Sequence, residues 1–369
     1  MLQGRRVCAR ERFSRDDSSV VPAFSQRSNF RYACKAPRAT GARIAIKSGL
    51  TTMSEATGPA SLAKPISLRL GAGAAGFNWL PVYAAQQQGL FAAHGLNVEI
   101  KRLGTVDKAT AAVRSGEVDM AITPPEGAIR DCAAGGNLRI VAGNVNRLPL
   151  SLIANPRFRR IEELKGAKLG TSSLTEGTAL YTMELLRQHG LRSGDYEFAV
   201  VGVHPARWKA LQEGTIDAAV QLIPLNFVAV DAGYSNLGEV SDYIPEIVFT
   251  ALIVDRTWAE AHRPAVVRFL RCLMNATRWV YDFANDPALV ALTGQIAQAE
   301  GPYAARALEY MRSKEVFSRD LSIPSAAFAK SIELMRKAGL ADAAVAAEAH
   351  RVLDDSYRFE AAASFDAGR

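Results

Sequence analysis

From residue 66 onward, short apolar runs alternate with amphipathic stretches. "ISLRLGAG" reads as a strand running into glycines, and "WLPVYAAQQQGLFAAHG" as helix with stops at Gly89 and Gly95. "LNVEIKRL" alternates with period two, as a half-buried strand does. "TVDKATAAVRSG" has helical spacing between a capping Thr105 and a terminating Gly116, and "VDMAIT" is a short buried strand. The helix "EGAIRDCAAGG" and the strands "LRIVAGNV" and "LPLSLIAN" follow. The pattern then restarts. A connecting turn, "IEELKG", leads into the strands "AKLGTSS", "YEFAVVGV", "IDAAVQL" and "IVFTALIVD". Between these strands lie the helices "EGTALYTMELLRQHG", "PARWKALQEG" and "PLNFVAVDAG". Such alternation predicts an α/β fold whose mostly parallel sheets are covered on both faces. Beyond residue 256 the chain reads as almost wholly helical, with Val267, Leu270, Leu273, Met274, Trp279 and Val280 as its buried stripe.

One segment echoes another. "AAVRSGEVDMAITPPE" (111–126) recurs as "KALQEGTIDAAVQLIPLN" (209–226), matching Gly116 with Gly214 and Asp119 with Asp217. Two similar α/β lobes are the simplest reading. The glycines suit helix ends in the left-handed region, and the two aspartates are expected to tie down the turn that follows.

Ligands of open α/β sheets bind beyond the C-terminal ends of the strands. Those ends deliver Asn78 and Trp79 in "GAGAAGFNWLP", Thr123 and Glu126 in "TPPEG", and Asn146 and Arg147 in "GNVNRLP". The second lobe delivers Ser172, Ser173, Thr175, Glu176 and Thr178 in "TSSLTEGT", and Gln221 and Asn226 in "QLIPLN". Helix N-termini carry unpaired N–H groups and positive potential, and the hydroxyls add donors. Facing one another across two lobes, these junctions predict a cradle for a small polar or anionic ligand, with Arg147 as its counter-charge. An inward Glu126 or Glu176 would ask for a donor or cationic nitrogen on that ligand. Ordinary helix capping is the competing reading of "TSSLTEGT", and core packing that of Trp79.

Charge changes the picture only at the N-terminus. The 369-residue chain carries a net +7, but residues 1–52 hold 11 Lys and Arg against 3 Asp and Glu, which leaves the remainder close to neutral. A nucleic-acid partner is therefore not expected for the folded body. Residues 1–65 read as a basic, disordered leader, with Met1 and Met53 both compatible with a translation start. No apolar run is long enough to span a membrane. The four cysteines and five histidines show no metal-ligand spacing, and no nucleophile elbow or Walker loop occurs, so neither a metal nor a cofactor is expected. "GAGAAG" follows a strand, but no suitably placed acidic residue supports a dinucleotide site.

"GFNWLPVYAAQQQGLFAAHGLNVEI", "AAVRSGEVDMAIT", "IEELKGAKLGTSSLTEGT" and "KALQEGTIDAAV" carry a resemblance to the nitrate/sulfonate/taurine class of ABC-importer substrate-binding proteins, over roughly residues 66–260. The resemblance implies a type II periplasmic-binding-protein-like fold: two α/β lobes joined by two crossings, with the ligand cleft between them. On that basis lobe 1 is expected to comprise 66–155 and 251–369 and lobe 2 to comprise 156–250, with crossings near 154–157 and 250–254. It also implies a monomeric, non-enzymatic protein that hands a small solute (a sulfonate, an aromatic acid or a pyrimidine) to an ABC permease. The periplasm is the implied compartment. The same scaffold occurs in soluble lyases, so a cytoplasmic decarboxylase or desulfinase stays open as the alternative. There Arg147 would hold an acid group, and Glu126 or Glu176 would move a proton.

Overall fold

The computed structural model describes residues 64–73 and 76–366, so the leader expected at 1–65 lies almost entirely outside the described residues. The first half runs β1 (Ile66–Ala72), α1 (Leu80–Gln87), α2 (Leu90–Ala93), β2 (Leu96–Arg102), α3 (Val106–Arg114), β3 (Met120–Thr123), α4 (Glu126–Ala133) and β4 (Leu138–Val145). The second runs β5 (Leu150–Ala154), β6 (Lys168–Thr171), α5 (Thr178–Gln188), β7 (Glu197–Val200), α6 (His204–Gln212), β8 (Ala218–Leu222), α7 (Leu225–Asp231), β9 (Ser235–Glu239) and then β10 (Thr250–Asp255). The helix ends follow local chemistry. The Thr105 hydroxyl accepts the Lys108 N–H at 3.3 Å to open α3, and Gly116 closes it with a φ of 72°.

Two five-stranded sheets result, ordered β2-β1-β3-β10-β4 and β7-β6-β8-β5-β9. The orders superpose element by element, as the internal echo predicts. Most strands share one direction, but β10 runs antiparallel between β3 and β4, and β5 antiparallel between β8 and β9. These inserted strands are the ones that follow a passage between sheets. Leu150–Ala154 therefore belongs to the second sheet, and the first crossing lies at residues 146–149 rather than 154–157. The return lies just before Thr250, which already pairs with Val145 of the first sheet. Strand β9 carries no strong apolar alternation and was not evident in the sequence pattern; its pairing with β5 defines it.

The paired aspartates clip the lobes in the same way. Asp119 accepts the backbone N–H of Arg69 at 2.7 Å and that residue's guanidinium at 2.6 Å. Asp217 accepts the backbone N–H of Lys168 at 2.8 Å and the guanidinium of Arg157 at 2.5 Å. Each carboxylate thus joins the start of a core strand to its neighbour.

The helical tail packs on the first lobe. Its 19-residue helix Arg263–Tyr281 buries Val267, Leu270, Leu273, Met274 and Val280, leaves Trp279 partly covered, and contacts α1. The tail also reaches the second lobe. Lys337 sits 3.2 Å from Glu184 of α5, whose carboxyl is pulled down to about 2, chiefly by Arg187. Among the described residues, no helix is long and apolar enough to cross a membrane.

Asp119→Ala and Asp217→Ala each strand a backbone N–H and an arginine. Each substitution should lower unfolding stability by about 1–3 kcal/mol in urea titrations, with similar losses in the two lobes.

Candidate functional site

Between the sheets lies a cavity of about 40 Å³. Its walls come from the C-terminal ends of the parallel strands: Asn78 and Thr123 from the first lobe, Ser172, Thr178, His204 and Arg207 from the second. Room of that size holds a few waters or one small polar group.

Arg207 dominates the site. It is fully buried on the first turn of α6. Its Nε donates to the Val220 carbonyl at 3.1 Å, and its Nη1 to the Gly202 carbonyl and the Thr178 hydroxyl, each at 3.3 Å. Its Nη2 donates to Nδ1 of His204. These acceptors are all neutral. Burial pulls the guanidinium down to about 9, so it remains charged at neutral pH. An arginine has five N–H donors, and the described residues supply four acceptors. Because the arginine can only donate, His204 Nδ1 must accept and Nε2 must carry the ring proton. Burial and the neighbouring Arg207 charge hold that imidazole well below its ordinary value, hence neutral. The site therefore presents one charge and an imidazole N–H donor, flanked by hydroxyls.

The other expected site residues separate into groups. Asn78 lines the cavity, and its carbonyl accepts from Asn144, which also donates to Thr250. Trp79 is fully buried in the hydrophobic core, away from the cavity lining, so its packing role prevails. Gln221, with its amide oriented to satisfy both ends, donates to the His204 carbonyl and accepts the Trp208 N–H, which seats the first turns of α6. Asn226 donates to Ser151 at 2.7 Å and caps its own helix turn through the Phe227 N–H. Asn146 ties the first crossing to the tail through the Ser322 carbonyl at 2.8 Å. Arg147 is exposed at that crossing and does not face the cavity; the chain turns there toward β5. The buried cation is Arg207 instead. Its sequence signal was "VGVHPAR", another strand-to-helix junction, and one whose chemistry is easily passed over.

The hydroxyl-rich stretch serves two tasks. Ser172 and Thr178 line the cavity, whereas Ser173, Thr175 and Glu176 reach across to the first lobe. Asp107 on α3 accepts from Ser173 at 3.0 Å and from Thr175 at 3.4 Å. Glu176 accepts from Thr110 and Arg130, each at 3.4 Å. It packs so closely on α4 that a Cβ on Gly127 would lie 2.3 Å from its Oε1. Nearby, Glu126 is fully buried with neither carboxyl oxygen hydrogen-bonded. Burial raises it to about 7, against weaker opposing effects of nearby peptide N–H groups and Arg130. Glu176 is also raised, first by burial and then by the charges of Glu126 and Asp107.

A carboxyl raised on folding contributes stability that is complete below its unfolded value, near 4.5, and is lost as pH climbs through about 7. Stability should therefore fall between pH 5 and 8. Glu126→Gln should flatten that fall by on the order of 3 kcal/mol, read from urea midpoints at the two pH values.

Comparison with known proteins agrees with this geometry. A candidate binding protein of Brucella abortus (strain 2308) is 27% identical over 221 residues, covering 58% of this chain and 67% of that protein. The periplasmic nitrate-binding protein NrtA of Synechocystis PCC 6803 aligns with a TM-score of 0.71 and 14% identity, over 82% of this chain and 89% of that one. The alkanesulfonate-binding protein SsuA of Xanthomonas axonopodis pv. citri aligns at 0.66 and 17%, over 79% and 99%. The last two likenesses show the shared two-lobed fold. Residues 76–286 match the family described as NMT1/THI5 like. With more than half of its length matched, the chain belongs to the NMT1/THI5-like family.

Proposed function

We propose that the protein captures a small organic anion between its lobes and releases it unchanged to an ABC permease. Arg207 carries this reading: a buried guanidinium with no carboxylate partner among the described residues, in a cavity where both lobes meet. A buried charge is costly until paired, so the site favours an anionic guest over water. His204, Thr123, Ser172 and Asn78 supply the polar surroundings that a carboxylate or sulfonate needs. The nitrate- and alkanesulfonate-binding relatives support an oxyanion as the cargo. The periplasm is the compartment this role implies, with the monomer as the working unit. The constellation expected for a lyase is not assembled, because Arg147 is exposed at the crossing and neither Glu126 nor Glu176 lines the cavity beside Arg207.

Native mass spectrometry of the purified chain, followed by release of the guest, tests the reading. One intact organic acid per chain is the expected result; conversion of that acid on incubation would overturn it. Arg207→Met should weaken binding by about 100-fold or more in calorimetry. The same variant removes the donors to Val220, Gly202, Thr178 and His204 while relieving a buried charge that has no counter-ion among the described residues, and these opposing effects should keep the loss of unliganded stability to about 1–3 kcal/mol. A large loss of stability without loss of affinity would make Arg207 structural.

A further inference from the structure

Away from Arg207, the second lobe meets α3 and α4 through carboxyl groups that have too few partners. Glu126 opens α4 and is fully buried, and neither of its oxygens has a hydrogen-bond partner among the described residues. Glu176 comes from the other lobe, is also buried, and packs on the same helix at Gly127. The bonds it accepts, from Thr110 and Arg130, are long, at 3.4 Å each. On α5 the Tyr181 hydroxyl is buried without a partner, under the influence of both glutamates.

The charges facing this cluster do not match. Helix α4 contributes Arg130, and α3 contributes Asp107. Arg114 of α3 is committed to Asp131 at 2.7 Å. On α5, Glu184 is held by Arg187 and Lys337. The tail helix Ala343–Glu348 and the turn after it also pack on α4, but Arg351 and Glu348 there pair with each other, and Arg351 acts on Cys132 rather than on Glu126. With both glutamates ionised, three carboxylates would face one guanidinium in a buried contact. With both neutral, Asp107 and Arg130 balance. Burial holds Glu126 up to about 7 and raises Glu176 as well. Parting the lobes would return both to water and to the ordinary value near 4.5.

We infer that this contact is a proton-operated latch: Glu126 and Glu176 hold their protons while the lobes are closed, and losing those protons parts the lobes. Closing then takes up protons, so the closed form is fully favoured below the open-state value near 4.5 and loses ground as pH climbs through about 7. For each proton taken up, the closed-to-open ratio should fall by up to about tenfold per pH unit inside that window. The inference concerns the contact between lobes, and it holds whichever guest Arg207 receives. A guest that needs both lobes would be kept in acidic surroundings and let go in alkaline ones.

The test is small-angle X-ray scattering of the full chain without added guest, at intervals from about pH 5 to about pH 8.5, with far-ultraviolet circular dichroism on the same samples. The wild-type radius of gyration should increase across about pH 5–8 while the helical signal stays constant. The Glu126→Gln/Glu176→Gln double variant keeps the shape of the protonated pair and should remain compact throughout. Each single glutamine variant should expand less steeply with pH than the wild type, which keeps the idea testable if the double variant does not fold. A wild-type radius that does not change with pH would overturn the latch. So would expansion accompanied by loss of helix, which is unfolding rather than opening, or glutamine variants that expand as the wild type does.

Discussion

A strand that passes from one sheet to another must enter its new sheet from the other lobe. Here this happens twice, and both entering strands lie antiparallel inside the sheet they join, with neighbours on either side. Neither can be withdrawn without breaking two ladders. The two lobes are thereby held at a fixed pair of crossings, with the ends of their parallel strands turned toward each other. The cleft and its polar lining follow from that constraint. Helix starts that would be scattered over two separate domains converge on one small volume.

Within that volume, hydrogen bonds run from the site to the contact between lobes. Arg207 donates to the Thr178 hydroxyl, which lies 3.2 Å from the Thr171 hydroxyl. Thr171 donates to the Ser173 carbonyl, so its oxygen is free to accept from Thr178. The Ser173 side chain donates to Asp107 in the first lobe. A charge recognised at Arg207 is thus linked through three hydroxyl-bearing residues to the opposite lobe. The polar stretch that looks redundant as a helix cap is needed twice over, as lining and as clasp.

Much of the architecture was legible in the sequence. Glycine-terminated helices, buried apolar runs and the repeated Gly–Asp turn pointed to two α/β units, and Asp119 and Asp217 are structural as expected, though they tie neighbouring strands rather than the turn itself. The antiparallel insertions were not legible, because an apolar run such as Leu150–Ala154 has the same appearance in either direction and in either sheet. The candidate site was legible in part. Several of the strand-to-helix junctions converge on the cavity between the lobes, but residue type alone could not separate the exposed Arg147 from the buried Arg207. Nor could it assign Ser172 and Thr178 to the cavity and Ser173, Thr175 and Glu176 to the interlobe contact. Those differences depend on which way neighbouring side chains point after a turn.

Glu176 seated on Gly127 has a consequence for affinity. Any conformer in which the lobes part must give up that contact and the bonds to Asp107, Thr110 and Arg130. The fraction of empty molecules already closed multiplies the intrinsic affinity of the site. The clasp therefore acts as a set-point. Through it, evolution or an engineer can make the same binding surface hold its cargo tightly or release it readily, without altering an atom that touches the cargo.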